Sequence, residues 1–225
     1  MLPFRAVIFD LDGTLADTLD DIADAVNHAL ACHALPLHSR DVYREIVGEG
    51  VTRLVERALP SDRQHLAESV REELGRYYVD HMLDRTEPYP EVPELLDRLT
   101  ERGVPMAILS NKPETATRWM VDRLFGGWPF TAVAGGADGV PLKPDPAAIL
   151  AIARAIGVEP ARCVYLGDTR TDMETAVAAG MLPAGAAWGF RDRDEILAHG
   201  TRVILERQLD LLPILDGDTQ STWTR

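Results

Sequence analysis

Three uninterrupted apolar runs constrain this chain more than anything else in it: Ala6–Phe9 (AVIF), Met106–Leu109 (MAIL) and Cys163–Leu166 (CVYL). A strand with one wet face alternates apolar and polar residues. A strand that is apolar at every position has to be covered on both faces, which is the situation of a central strand in a parallel sheet. Ala132–Ala134, Ala184–Ala187 and Val203–Leu205 repeat the signal more weakly. Between the runs lie amphipathic helical segments, Val92–Arg102, Glu114–Leu124, Pro146–Ile156, Thr171–Ala179 and Asp192–Ala198. Gly103, Gly157 and Gly180 stand where such helices end.

Strand–helix alternation of this kind predicts an α/β fold, a Rossmann-like doubly wound parallel sheet core. Residues 17–87 break the alternation. They contain no convincing strand, and their periodicity is helical throughout, with Ile22, Val26, Ala29 and Leu30 on one stripe and Val51, Leu54, Val55 and Ala58 on another. The expected organisation is a core of residues 1–16 and 88–225 with an inserted all-α-helical cap domain over 17–87. Pro88–Pro90 mark the return to the core, and the last ten residues, DGDTQSTWTR, read as a polar tail.

Charge narrows the function. The 225 residues carry 23 basic and 36 acidic side chains, a net charge of −13. Such a surface repels a phosphate backbone and anionic lipid, so no nucleic acid and no membrane partner is expected. No run approaches the ~18 apolar residues of a membrane helix. The two cysteines, Cys32 and Cys163, form no CxxC pair and suggest neither a disulfide framework nor a zinc cluster. The six histidines are scattered and read as structural, as do Trp119, Trp128 and Trp188. A cytoplasmic protein, monomer or homodimer, is the expectation.

In an open α/β sheet, ligands gather at the carboxyl ends of the strands. The first strand is followed by Asp10, Asp12, Gly13 and Thr14, and Met106–Leu109 by Ser110, Asn111 and Lys112. The segment after Ala132–Ala134 ends in Lys143, and Cys163–Leu166 leads to Gly167, Asp168 and Asp172. Each cluster alone has a dull explanation as a turn or a helix cap. Their convergence on one sheet edge does not. Lys112 and Lys143 are also the only lysines among the 23 basic residues; every other cation is Arg. A compact ammonium offers a point charge that the planar guanidinium does not reproduce.

The residue types indicate the chemistry. Asp10, Asp12 and Asp168 make a hard, all-oxygen set suited to Mg²⁺, and no His or Cys cluster competes for a softer metal. Lys143 offsets the charge of carboxylates and phosphate. Ser110 and the N–H groups after it are positioned to cradle phosphate oxygens at a helix N-terminus.

DLDGT at 10–14, LSN at 109–111, LKPDP at 142–146 and GDTRTD at 167–172 resemble, in order, the four motifs of the haloacid dehalogenase superfamily. The helical insert stands where that superfamily places a C1 cap. The resemblance implies that Asp10 is the nucleophile, forming an aspartyl-phosphate with Mg²⁺ bound. It makes Asp12 general acid and then base, gives the phosphate to Ser110, Asn111 and Lys143, and the metal to Asp10, Asp12 and Asp168 with Asp172 orienting them. Dehalogenase members lack an aspartate matching Asp12, since a halide needs no proton, so its presence points to phosphoryl transfer.

The cap segment IVGEGVTRLVERAL (46–59) is similar to the glycine-bracketed loop and helix of phosphoglycolate phosphatases. Gly48 and Gly50 would let the backbone approach a small substrate and Arg53 would meet its carboxylate, provided that Glu49 turns outward. Arg57 and Thr18 are weaker candidates. The stretch AWGFRDRDEI (187–196) resembles a strand-to-helix turn of these enzymes, so a structural role is expected for it, with Arg191 a weaker candidate for the phosphate entry. The expected activity is Mg²⁺-dependent hydrolysis of a small phosphorylated metabolite, with 2-phosphoglycolate the leading substrate. The alternatives are a β-phosphoglucomutase-like phosphomutase and a pyrophosphatase or sugar-phosphate phosphatase. A cap without any lysine speaks against the mutase and against phosphonate cleavage.

Overall fold

The structure is a computed structural model that describes residues 4–201 and 203–217. The chain opens with β1 (Ala6–Phe9) and a two-residue strand β2 (Ala16–Asp17). Four helices follow, α1 (Leu19–Cys32), α2 (Arg40–Ile46), α3 (Val51–Ala58) and α4 (Ala67–His81), and then β3 (Glu87–Pro88). From there strands and helices alternate: α5 (Val92–Glu101), β4 (Met106–Pro113), α6 (Glu114–Leu124), β5 (Phe130–Gly136) and α7 (Ala147–Ile156). The chain ends with β6 (Cys163–Gly167), α8 (Arg170–Ala179), β7 (Leu182–Ala186), α9 (Arg193–Ala198), β8 (Val203–Leu205) and α10 (Leu211–Asp216).

Six strands form one parallel sheet in the order β5-β4-β1-β6-β7-β8. β1 is central, with Val7 opposite Met106 on one side and Val164 on the other. Its continuous apolar character has the expected cause. Val7 and Phe9 face a core shared with α5, α6 and α10, while Ala6 and Ile8 face a second core built with α7 and α8. Burying each of these large side chains contributes about 1.5–3 kcal/mol. The helical cap packs α1 against α4, and its expected stripes turn inward: Ile22, Val26, Ala29, Leu30, Leu54, Val55 and Ala58 are buried, and Val51 is half-buried.

Three expectations need correction. The stretch read as strand-free carries strand residues at both ends. Asp17 pairs with Glu87 and Ala16 with Pro88, so the chain leaves and rejoins the core through adjacent strands. Two-residue strands leave no periodic signal. Buried Asp21 fastens this hinge, accepting from the Thr86 N–H (2.8 Å) and hydroxyl (2.7 Å). Secondly, β4 runs past its apolar stretch to Pro113, because β5 keeps pairing as far as Gly136. Ser110, Asn111 and Lys112 therefore sit on a strand extension, and the helix begins only at Glu114. Thirdly, β5 is an edge strand with half-buried rather than buried residues. Most of the expected polar tail, residues 218–225, lies outside the described residues. Among the described residues no helix is long and apolar enough to cross a membrane.

Candidate active site

The neighbours of β1 in the sheet, β4 and β6, come much later in sequence, so the chain reverses its winding direction at β1. The crevice at a reversal point is where a doubly wound sheet binds its ligand. Asp10 follows β1 directly, and its Oδ1 lies 2.8 Å from Lys143 Nζ. The same ammonium lies 2.8 Å from Asp172 Oδ1 and donates to the Leu109 carbonyl at 3.4 Å. All of these groups are buried. Burial alone would lower the Lys143 pKa, but Asp10 and Asp172 outweigh it and hold the ammonium above its ordinary range.

Asp172 has both oxygens occupied by donors. Oδ1 accepts from Lys143 and from Tyr165 Oη at 2.9 Å, and Oδ2 accepts from the Thr169 N–H (3.0 Å) and hydroxyl (2.6 Å). It closes the capping box of α8 while anchoring Lys143. Asp168 accepts from the Thr14 hydroxyl at 3.2 Å and from the Phe190 N–H at 2.7 Å. Burial, with Asp172 nearby, pushes its carboxyl up to about 7. Asp10 is also raised well above the usual carboxylate range, first by burial and then by Asp172.

Oxygen atoms of Asp10, Asp168 and Asp172 lie within 4.8 Å of one another in this dry setting. One ammonium facing three carboxylates leaves negative charge uncompensated, and the donors are all hard oxygens. The set therefore fits a divalent cation. Gly13 lets the backbone come close: a Cβ there would stand 2.3 Å from Asp168 Oδ2, at a φ of +81° that favours glycine. The Asp12 carboxylate lies outside this cluster. It accepts from Lys112 Nζ at 2.6 Å, and that ammonium sits 5.0 Å from the centre of the Tyr78 ring on cap helix α4. The Tyr78 hydroxyl is buried without a hydrogen-bond partner, and burial pushes it up to about 12.

These groups border one cavity of about 200 Å³ between core and cap. Asp10, Asp12, Ser110, Asn111, Lys112 and Lys143 line it from the core, and Gly48, Gly50, Arg71 and Tyr78 from the cap, with apolar Val51, Leu54 and Leu74 between them. Ser110 Oγ accepts from the Lys112 N–H at 3.2 Å. The Asn111 side chain works as a brace. It donates to the Gly48 and Lys143 carbonyls, both at 3.1 Å, and accepts from the Lys143 N–H at 2.8 Å. It thereby ties the cap loop to the segment that carries Lys143.

The cap residues separate. Gly48 and Gly50 reach the cavity, and a Cβ on Gly50 would come within 2.9 Å of Leu142. Arg53 does not reach it: α3 buries Leu54 and Val55, which leaves Arg53 exposed and paired with Glu56 at 2.8 Å. The cap arginine that lines the cavity is Arg71, half-exposed and held by Glu68 at 2.5 and 3.1 Å. Glu49 does turn outward, to Arg57 at 2.8 Å and Arg170 at 2.7 Å. Thr18 is buried, and its hydroxyl has no partner. Arg191 does not line the cavity; it takes the expected structural role and donates to the cap carbonyls of Arg44, Glu45 and Val47. Arg44 answers from the cap, donating to the Phe190 and Gly189 carbonyls at 3.0 and 2.9 Å.

Sequence reasoning missed Tyr78 and Arg71. Tyr78 falls in register with Val70 and Leu74, a spacing that reads as core. The scarcity of lysine was the one signal that marked Lys112.

Comparison with known proteins agrees with this geometry. The model of the haloacid dehalogenase-like hydrolase family matches residues 4–180. Phosphoglycolate phosphatase 1 of Pseudomonas aeruginosa is 34% identical over 217 residues, 94% of this chain and 80% of that protein. The phosphoglycolate phosphatase of Aquifex aeolicus is 32% identical, covering 95% of this chain and 97% of its own. A solved structure from Lactobacillus delbrueckii subsp. bulgaricus superposes with a TM-score of 0.89 at 30% identity, covering 96% of this chain and all of that one. A predicted phosphoglycolate phosphatase from Haemophilus somnus follows with a TM-score of 0.87 at 27% identity, covering 95% and 99%. With three buried aspartates, a buried lysine and a helical cap set around the reversal point of its sheet, the chain belongs to the haloacid dehalogenase-like hydrolases, and within them to the phosphatases.

Proposed function

We propose that this phosphatase is a Mg²⁺-dependent phosphomonoesterase that acts through an aspartyl-phosphate, and that its substrate is 2-phosphoglycolate. One observation carries the substrate reading: the small cavity has donors at two ends. Lys143 and Ser110 stand beside Asp10, while Lys112, the unpartnered Tyr78 hydroxyl and Arg71 stand toward the cap, with no carboxylate lining the cap side. In the free protein Lys112 is paired with Asp12 and Arg71 with Glu68 at 2.5 Å, so a ligand's second anionic group would share Lys112 and draw Arg71 from Glu68, and a cavity of about 200 Å³ leaves little room between the two ends. The phosphoglycolate phosphatases among its relatives support the same reading.

The chain's own groups then divide the work. Asp10 forms a bond to phosphorus as the ester oxygen leaves, and Asp12 hands that oxygen its proton. A water next attacks phosphorus, Asp12 takes the proton back, and the Asp10–phosphorus bond breaks. Lys143 holds Asp10 in place and offsets charge on the transferring group, and Ser110 receives a phosphate oxygen. Asp10, Asp168 and Asp12 through its backbone carbonyl would hold Mg²⁺, positioned by Asp172 and Thr14; when bound it would supply positive charge where the phosphoryl oxygens gather. Lys112, Tyr78 and Arg71 take the carboxylate.

The test is phosphate release, with and without Mg²⁺, from 2-phosphoglycolate, pyrophosphate, β-glucose 1-phosphate and several sugar phosphates, with Asp10→Asn as the blank. A preference in kcat/KM for 2-phosphoglycolate is expected. Activity spread evenly over all esters would remove the substrate assignment and keep the phosphatase. Isomerisation of the sugar phosphate without release would replace both with a mutase.

A further inference from the structure

On the cap, away from the cavity, three side chains that catalysis does not use converge on one point. His28 and Cys32 lie one turn apart on α1, and Glu73 faces them from α4. His28 Nε2 is 3.6 Å from Cys32 Sγ and 3.5 Å from Glu73 Oε1, and the three ligand atoms all lie within 4.8 Å of one another. The second distance is informative. A charge-assisted hydrogen bond between imidazole and carboxylate closes to about 2.7–2.9 Å. A tetrahedral zinc ion instead needs nitrogen and oxygen about 3.4 Å apart, and nitrogen and sulfur about 3.6 Å apart, given its usual bond lengths. Both separations match edges of that tetrahedron.

The surroundings hold the set in place. The His28 ring stacks on Tyr77 with centroids 4.1 Å apart, which fixes its plane. Arg76 lies 3.2 Å from Glu73 Oε2, leaving Oε1 to face the imidazole. Imidazole, thiolate and carboxylate form a set of borderline softness, suited to zinc and not to magnesium, and its two anions neutralise a divalent ion.

We propose that His28, Cys32 and Glu73 form a zinc site that fastens α1 to α4, with water at the fourth position. α1 follows hinge strand β2 and α4 leads back to β3, so the ion ties together the two helices through which the cap joins the core. Sequence alone gave no hint of it, because Glu73 is supplied from another helix.

The probe is cobalt(II), added to the reduced full-length protein with Mg²⁺ saturating the catalytic carboxylates. One equivalent is expected to give a thiolate-to-cobalt charge-transfer band, which the cysteine-free active site cannot produce, and one equivalent of zinc should displace it. Cys32→Ser should lose the band and the zinc-dependent rise in Tm while keeping phosphatase activity. His28→Ala, which keeps both cysteines, should lose the band too, and Arg76→Ala should weaken cobalt binding by about tenfold. Absence of the band in the wild-type protein, or an undiminished band in either ligand variant, would overturn the site. Cys163, buried in the core, is the thiol that a persistent band would implicate.

Discussion

Lys112 Nζ meets Asp12 Oδ1 at 2.6 Å beneath the ring of Tyr78, so a pair made entirely by the core is roofed by a residue of the cap. Lys112 is buried, its partner nearly so, and the Tyr78 hydroxyl beside them has no partner of its own. A buried donor left unmade costs about 1–3 kcal/mol, so a site that holds one empty favours a ligand that fills it.

Tyr78→Phe removes that donor without changing the ring. With 2-phosphoglycolate the KM should rise about tenfold, in line with a hydrogen bond to a charged group at about 1.5–3 kcal/mol. With ethyl phosphate, which lacks the carboxylate, it should stay unchanged. Equal losses on both substrates would show that the hydroxyl serves the fold and not the substrate.

Asp12→Ala should slow hydrolysis of alkyl esters by about 10²–10⁴-fold, the usual contribution of a positioned proton donor. In the first step an aryl phosphate, whose leaving group departs without a proton, should suffer much less. Its steady-state turnover should still fall, because the base for the second step is also gone, and a pre-steady-state burst with the aryl ester would show aspartyl-phosphate accumulating. Equal damage to alkyl and aryl esters in that first step would refute the acid role.

Lys143→Arg should lose at least about a hundredfold in kcat. The ammonium is 2% exposed and meets Asp10, Asp172 and the Leu109 carbonyl at once. A planar fork cannot reproduce that convergence and does not fit the space. A melting curve separates the causes, since a loss of kcat with an intact Tm isolates the geometric role.

Much of this architecture was legible in the sequence, and for identifiable reasons. AVIF, MAIL and CVYL are apolar at every position because two cores cover them, so the central strands announced themselves. Asp168 stood out because it lies at a strand end, where a parallel sheet collects its ligand groups, and Lys143 because it is one of only two lysines. The hinge strands were hidden by their length, and the extension of β4 by its polar composition, which faces the cavity edge and not a core. Arg53 and Arg71 could not be told apart without the cap's packing. On α3 the burial of Leu54 and Val55 turns Arg53 to solvent, while the long α4 brings Arg71 over the core.

The three-carboxylate cluster predicts how stability depends on pH and metal. The folded protein binds a proton at Asp168 up to about pH 7, whereas the group's ordinary value is 3.8, and Asp10 is displaced in the same direction. Folding therefore takes up protons across this window. Metal-free stability should fall as pH rises through it, with the full penalty present above the folded-state value. Mg²⁺ compensates the ionised cluster, so its gain in Tm should be larger at about pH 8 than at about pH 5.5. An equal gain at both pH values would mean that the ion binds elsewhere.

The arginines at the seam between cap and core are crossed. Arg44 of the cap holds the carbonyls of Gly189 and Phe190, and Arg191 of the core holds those of Arg44, Glu45 and Val47. Phe190 in turn donates its N–H to Asp168, so the latch and the metal cluster share a peptide segment. Arg191→Ala removes several charge-assisted bonds, each worth about 1.5–3 kcal/mol when made. The cap should then open more readily, and the Asp168 carboxylate should lose the fixed orientation that Phe190 provides. Two readouts should move together: the KM for 2-phosphoglycolate, and the Mg²⁺ concentration for half-maximal activity, the latter by about tenfold as for other partners that orient a ligand. If KM rises while the Mg²⁺ requirement is untouched, the latch acts on the cap alone and the link through Phe190 carries no energy.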